Sequence, residues 1–178
     1  MILSKKSAIK VLAVALVLVG AYGFLGHAKI IPAQDDQMAV LKEQLKSSMR
    51  DIVTIATGLA DYCTDNGFAP SQDGAYELGD DFYQKISPFY VKVLPVKDPW
   101  GGKYVVYCGL ACNGKYGIKG CDKLDFVVVC LGRDGKKDDW KWDESNTQGG
   151  LFKVQSLADF DKDLVMWNGS WVRAPAPK

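Results

Sequence analysis

The sequence predicts an α+β domain behind a hydrophobic N-terminal segment, with a long amphipathic helix packed on a small antiparallel β-sheet. Apolar residues recur at helical spacing through residues 34–64. Two runs of β-branched and aromatic residues follow at 104–108 and 126–131, joined by a glycine-rich loop. With 178 residues, 48% of them hydrophobic and 24% charged, the chain has the material for one domain of ordinary size.

The first 30 residues form a hydrophobic N-terminal membrane segment. Residues 9–26 are long enough to span most of a bilayer and contain one charge, Lys10, with further lysines before it. A cleaved signal peptide, cut after Ala28, and a retained signal anchor both fit this pattern, and the length of the apolar run favours the anchor. In both cases residues 31–178 form a single domain outside the cytoplasm, periplasmic or extracellular.

Charge and histidine content exclude several classes of function. Residues 1–30 contain four lysines and no acidic residue, whereas the rest of the chain has 18 basic and 21 acidic residues. An acidic domain has no electrostatic footprint for nucleic acid, so we expect no nucleic-acid partner. The single histidine, His27, lies beside the hydrophobic segment, so Ser-His-Asp, Cys-His and histidine-rich zinc sites have no histidine in the domain.

The predicted long helix covers residues 34–64 and ends at Asn66-Gly67, because glycine commonly terminates helices. A second, short helix is expected at residues 80–86, and the tail after Val172 is expected to fray. The predicted buried face of the long helix consists of apolar residues spaced by three, four or seven: Met38, Leu41, Leu45, Ile52, Ile55, Leu59 and Cys63.

Five cysteines agree with export, because disulfide bonds persist in oxidising compartments. Cys112 and Cys121 bracket the glycine-rich loop, which predicts a local disulfide bond between them. Cys108 lies at the loop end of its strand and Cys130 at the far end of the other, so they are not expected to pair directly. Cys63 is expected to bond to one of these two and to leave the other as a free thiol.

The C-terminal third is rich in acidic and tryptophan residues. Residues 132–150 form a polar, acidic loop, and Asp159, Asp161 and Asp163 alternate shortly after it. They do not form an EF-hand, since Leu164 replaces the required glycine. A solvated acidic loop and a calcium site both remain open, and an enzyme that uses aspartate carboxylates has only this loop to support it. Four tryptophans either pack as core contacts or form a ligand platform: Trp140, Trp142, Trp167 and Trp171.

Several short motifs occur in an order that resembles the major pseudopilin, the G-type subunit, of bacterial type II secretion systems. The resemblance runs from about residue 9 to residue 171. Its motifs are I-I-P at 30–32, Y-C-T-D-N-G-F-A-P at 62–70, D-P-W-G-G-K-Y at 98–104, L-G-R-D-G at 131–135 and D-L-V-M-W at 163–167.

The resemblance implies a pilin-like fold with a calcium-bearing C-terminal loop region, and a non-enzymatic role. Such a protein is a structural subunit of a periplasmic filament involved in protein secretion, anchored in the inner membrane by its N-terminal helix. Its partners are other pseudopilin subunits or secretion-system components, with no small-molecule substrate. The implied Ca²⁺ ligands are the Leu131 carbonyl and the carboxylates of Asp134, Asp161 and Asp163. Alternative carboxylates in the longer loop of this chain are those of Asp138, Asp139 and Asp159.

The N-terminal segment departs from the pseudopilin pattern. An alignment on Pro32 puts the expected cleavage junction near Lys10-Val11 and the expected Glu near Ala15, so neither signal is present. This departure supports a second hypothesis, a membrane-tethered or secreted pseudopilin-fold module that binds a partner without polymerising.

Overall fold

The computed structural model describes residues 34–177, and the chain from Asp36 onward forms one compact unit. The expected membrane segment at residues 9–26, and with it the choice between anchor and signal peptide, lies outside the described residues. Within residues 34–177, no helix is both long enough and apolar enough to cross a membrane.

Helix α1, Gln34–Asn66, provides one side of the main hydrophobic core. Ile52, Ile55 and Leu59 are completely buried on the predicted face, and Leu41 and Leu45 extend the same stripe toward the helix start. Burial follows the apolar spacing because residues three and four apart lie on the same face of a helix. The predicted long helix and its inward face are therefore confirmed.

Gly67 ends helix α1. Its backbone has φ of +74°, a left-handed conformation that glycine adopts without steric cost, and its N–H donates to the carbonyl of Cys63 at 2.8 Å. The side-chain amide of Asn66 donates to the carbonyl of Tyr62 at 2.9 Å and to the hydroxyl of Tyr90 at 3.1 Å. The predicted Asn-Gly terminus is confirmed, and it joins the helix end to the loop that carries Tyr90.

A turn that begins at Asp98 fastens α1 to the rest of the domain. One oxygen of the buried Asp98 carboxylate accepts the backbone N–H groups of Trp100 at 2.9 Å and Gly102 at 2.8 Å. The indole N–H of Trp100 donates to the side-chain oxygen of Gln44 at 3.1 Å. The amide of Gln44 donates in return to the carbonyl of Pro99 at 3.2 Å. These bonds fix the turn and connect it to the helix.

A six-stranded sheet within residues 34–177 packs against α1, in the order β1-β2-β3-β5-β6-β4. Neighbouring strands are antiparallel except β4 and β6, which are parallel. The strands are β1 (Asp73–Ala75), β2 (Val105–Cys108), β3 (Phe126–Cys130), β4 (Leu151–Phe152), β5 (Leu164–Trp167) and β6 (Ser170–Pro175). The predicted pair of antiparallel strands is confirmed as β2 and β3, and the predicted short helix is α2 (Asp81–Ile86).

Strand β3 is buried on both faces. Val128 and Cys130 belong to the core beneath α1, whereas Val127 and Val129 face a second core on the other side of the sheet. Short 3₁₀ helices and loops cover that second side, and Tyr116 and Ile118 are buried there. A continuous apolar run such as F-V-V-V-C is typical of a strand with both faces covered.

The C-terminal tail is a paired strand, so the expectation that it frays after Val172 is wrong. Strands β5 and β6 form a hairpin through Asn168 and Gly169, whose φ angles are +47° and +78°. A turn with two such residues matches the twist of antiparallel strands. Strand β6 continues through a buried Ala174 to Pro175, because β4 pairs in parallel with these last residues.

All five cysteines are buried thiols in the described structure. Burial raises the pKa of each thiol, that of Cys112 to about 12. The reactive thiolate is therefore scarce at neutral pH. Asn113, next to Cys112, exchanges two hydrogen bonds with the backbone of Cys121 at 3.2 and 3.0 Å, and the Cys121 thiol contributes to the raised pKa of Cys112. The two thiols are thus neighbours, and the predicted bond between them stays a prediction.

The arrangement of the other thiols favours Cys108 over Cys130 as the partner of Cys63. Burial is the main cause of the raised pKa of Cys108, with smaller contributions from Cys112 and then from Cys63; Cys63 makes no such contribution at Cys130. Cys130 instead donates a hydrogen bond to Asp98 at 3.3 Å.

We predict that oxidation with glutathione disulfide joins Cys112 to Cys121, and Cys63 to Cys108. The first bond closes a ring of about ten residues and should add about 2–3 kcal/mol to the free energy of unfolding by restricting the unfolded chain. Peptide mapping after alkylation in denaturant should find Cys130 alone alkylated. In the Cys121→Ser variant Cys112 should become alkylatable too. A map in which wild-type Cys112 is unpaired or bonded to Cys108 would contradict the prediction.

Candidate functional site

The turn after β3, residues 131–135, packs against the segment that precedes β5. The backbone N–H of Arg133 donates to the carbonyl of Phe160 at 2.8 Å. Gly132 has φ of +66°, and a Cβ atom placed on it would lie 2.6 Å from the carbonyl oxygen of Asp161. The L-G-R-D-G turn therefore needs a glycine at its second position both for its backbone angle and for close approach to the acidic segment.

Asp161 forms a bidentate ion pair with Arg133 in this contact. Its two carboxylate oxygens accept from Nε of Arg133 at 2.8 Å and from a terminal guanidinium nitrogen at 3.0 Å. The hydrogen bond to Asp161 raises the pKa of Arg133 above its usual value. Both side chains are about one third exposed, so solvent screening limits the pair to about 1 kcal/mol or less.

Asp163 is completely buried two residues later. One of its oxygens accepts the hydroxyl of Tyr116 at 2.5 Å and the backbone N–H of Asp138 at 3.1 Å. Its other oxygen, Oδ1, is buried without a hydrogen-bond partner among the described residues. Burial raises the pKa of Asp163 to about 6, and the hydrogen bond from Tyr116 opposes this shift only in part.

Asp138 connects Asp163 to strand β6. Its carboxylate accepts the backbone N–H of Asp163 at 3.3 Å and a guanidinium N–H of Arg173. Arg173 is nearly buried, with 11% of its side chain exposed, and its guanidinium lies 5.1 Å from the ring centre of Trp140. Asp138, Asp163 and Arg173 therefore hold the loop after β3 against β5 and β6.

The remaining predicted carboxylates serve local turns. Asp134 is exposed and accepts the backbone N–H of Lys136 at 3.0 Å. Asp159 caps the short helix Leu157–Asp161 and accepts the side chain of Lys162 at 2.7 Å, which together with the capping bonds lowers its pKa. Asp139 is exposed on the loop.

The structure brings only part of the predicted calcium set together. Leu131, the fourth predicted ligand, is half-buried at the start of the turn and packs against the second core. Asp161 is satisfied by Arg133, and the nearest acidic neighbour of Asp163 in the hydrogen-bond network is Asp138 rather than Asp134. Among residues 34–177, no three histidine, cysteine or acidic side chains are grouped to hold a metal ion. The unpartnered Oδ1 of Asp163 could accept a cation. The neighbouring carboxylates of Asp161 and Asp138 are instead neutralised by the guanidinium groups of Arg133 and Arg173.

Sequence patterns alone did not indicate Tyr116 and Arg173. Tyr116 lies in the glycine-rich loop with φ of +49°, a conformation that few tyrosines adopt. Arg173 lies in the tail that was expected to fray. The one available signal is the Asn168-Gly169 pair, since it predicts a hairpin that would bring Arg173 back beside β5.

Comparison with known proteins adds no family assignment. No protein-family model, curated protein or solved structure matches the chain. The function proposed below consequently depends on the motifs and contacts of the chain itself.

We predict that Gly132→Ala destabilises the domain more than Gly135→Ala. Both glycines have φ of +66°, but a Cβ on Gly135 meets no atom within 4 Å. Gly135→Ala should lower the free energy of unfolding by about 1–2 kcal/mol through its left-handed backbone. Gly132→Ala should cost roughly 1–3 kcal/mol more, because its Cβ collides with the Asp161 carbonyl. Urea denaturation measures both, and equal losses would show that the close approach does not matter.

Proposed function

We propose that the chain is a structural, non-enzymatic subunit of a type II secretion-type periplasmic filament, anchored in the inner membrane by its N-terminal segment. The observation that carries this proposal is the 33-residue helix α1, which lies along one face of a mainly antiparallel sheet. A long helix packed on a small, mainly antiparallel sheet is what the resemblance implies, and this agreement supports the proposal.

Three of the five motifs behind the resemblance coincide with structural junctions of the described residues. The D-P-W-G turn at 98–101 bonds to Gln44 of α1, the D-N-G motif at 65–67 ends that helix, and the L-G-R-D-G turn meets the acidic segment before β5. Each of these three motifs thus has a structural role in the domain. Their joint presence supports the proposal more than any single motif does.

A subunit of a filament needs a surface for its neighbours. Val40 and Val53 are exposed on α1, with 59% and 44% of their surface accessible. Val40 also lines a mainly apolar surface hollow of about 500 Å³ with Ala39 and Pro99. Exposed apolar side chains on one long helix are the kind of surface that association would bury.

We predict that the full-length chain, expressed in the membrane of a Gram-negative host, forms a ladder of cross-linked oligomers with an amine-reactive cross-linker. Val40→Asp and Val53→Asp should shorten the ladder, because a charge would have to be buried between subunits. Leu110→Asp is the matched control, since Leu110 is equally apolar and 73% exposed but lies outside α1. A wild-type chain that remains monomeric would favour the alternative, a tethered module that binds a partner without polymerising.

The resemblance also implies a bound calcium ion, which we include in the proposal. Asp134, Asp161, Asp163 and the Leu131 carbonyl would hold the ion, and Ca²⁺ would add positive charge among these oxygen ligands. In the structure Asp161 already accepts both nitrogens of Arg133, so calcium would have to compete with that guanidinium for the carboxylate.

We predict that added Ca²⁺ raises the melting temperature of the exported region, residues 31–178, and that EDTA reverses the rise. An ion at a hundred times its dissociation constant adds about 2.7 kcal/mol to stability. Asp134→Ala should remove most of the effect, and Arg133→Ala should enlarge it by freeing Asp161. Asp143→Ala is the control, because Asp143 is exposed and, among the described residues, its side chain bonds only to Ser145. If added Ca²⁺ leaves the melting temperature of both wild type and Arg133→Ala unchanged, the calcium prediction is wrong.

A further inference from the structure

A cleft of about 420 Å³ opens beside the β5–β6 hairpin. Three tryptophans and four small or medium polar residues form most of its lining. The lining residues are Trp142, Thr147, Gln148, Trp167, Asn168, Ser170, Trp171 and Val172. The volume lies within the range of about 300–1,000 Å³ that is usual for small-ligand sites.

Two of the tryptophans form a fixed aromatic wall. The ring centres of Trp142 and Trp167 lie 6.3 Å apart at an interplanar angle of 76°, an edge-to-face packing that restrains both rings. Both side chains are half-buried against the second core. Their indole N–H groups are buried and have no acceptor within residues 34–177, so the wall offers the cleft its ring carbons rather than these donors.

The rim of the cleft is polar but uncharged. Within the described part of the chain, the side chains of Thr147, Gln148 and Ser170 form no hydrogen bond to the protein, although each carries donor and acceptor groups. The charged residues just before them, Asp143 and Glu144, do not line the cleft. An uncharged lining in so charged a loop indicates a neutral ligand that exchanges hydrogen bonds.

The hairpin holds one side of this cleft rigid. Asn168, in the left-handed conformation, accepts the backbone N–H of Phe126 through its side-chain oxygen at 2.8 Å. The neighbouring Trp167 and Ser170 face each other as paired strand residues. A binding surface that is already ordered loses little conformational entropy when a ligand binds.

We propose that this cleft binds a neutral oligosaccharide. One face of a pyranose ring consists of C–H groups that stack on an indole, whereas its edges carry hydroxyl groups that both donate and accept hydrogen bonds. The tryptophan wall and the amide and hydroxyl rim match these two faces. A carboxylate or phosphate ligand would lack a cationic partner, and an acyl chain would leave the polar rim unpaired. This binding activity goes beyond the filament role and does not depend on it.

The test titrates the full-length protein, in a detergent without a sugar headgroup, with two probes: a β-1,4-linked glucose tetramer and a β-1,4-linked N-acetylglucosamine tetramer. Isothermal calorimetry should detect saturable binding of at least one tetramer, and the tryptophan fluorescence should change in parallel. Whichever tetramer binds more tightly identifies the sugar class, plain hexose or N-acetyl hexosamine.

Two variants locate the site. Trp142→Phe, which keeps an apolar ring but removes the indole, should weaken binding by about tenfold, which corresponds to about 1.4 kcal/mol. Gln148→Ala should weaken it roughly fivefold, as expected for one neutral hydrogen bond. Gln148 is exposed, so this variant should fold normally even if Trp142→Phe does not. Gln155→Ala, whose residue does not line the cleft, is the matched control.

Three results would overturn the proposal. The first is the absence of saturable binding of both tetramers to the folded wild-type protein. The second is equal affinity in wild type and in Gln148→Ala. The third is tighter binding of an anionic galacturonate tetramer than of either neutral probe. A filament that assembles normally but binds no sugar would refute this inference alone, and sugar binding by a monomeric chain would refute only the filament role.

Discussion

The structure depends on the burial of one apolar stripe of helix α1 against the sheet. Each fully buried aliphatic side chain of that stripe, such as Ile52, Ile55 or Leu59, contributes about 1.5–3 kcal/mol relative to an exposed one. Apolar burial alone has no direction, so it leaves the helix free to slide along the sheet. The turn at Asp98 removes that freedom through hydrogen bonds from Trp100 to Gln44 and from Gln44 to Pro99. A buried carboxylate is tolerated there because backbone N–H groups bond to it.

On the side of the sheet away from α1, β3 is covered by loops, one of which carries many charged residues. Its carboxylates are not left to repel each other, because Arg133 pairs with Asp161 and Arg173 pairs with Asp138. These pairs differ in environment, since Arg173 is nearly buried and Arg133 is one third exposed. Charge neutralisation by arginine is built into the fold, whereas neutralisation by calcium would require Asp161 to change partner.

The two surfaces proposed for interactions belong to different elements. Val40 and Val53 lie on α1, which begins soon after the predicted membrane segment. The tryptophan cleft instead belongs to the acidic loop and the C-terminal hairpin, which pack on the second core. Because they share no residue, assembly through the helix and binding of a sugar in the cleft are compatible in one molecule. The second hypothesis, a tethered module that does not polymerise, would use only the cleft.

The sequence by itself determined the elements whose signals are local. Apolar spacing defined α1, Gly67 ended it, and β-branched runs defined β2 and β3, because each of these signals comes from residues a few positions apart. Only the tertiary structure decided which distant side chains meet. Tyr116 bonds to Asp163 across 47 positions and Asp138 to Arg173 across 35, as a consequence of the strand order β3-β5-β6 and the parallel addition of β4. The same order brings Trp142 to Trp167. Long-range contacts of this kind depend on the packing of the whole sheet, and no local periodicity encodes that packing.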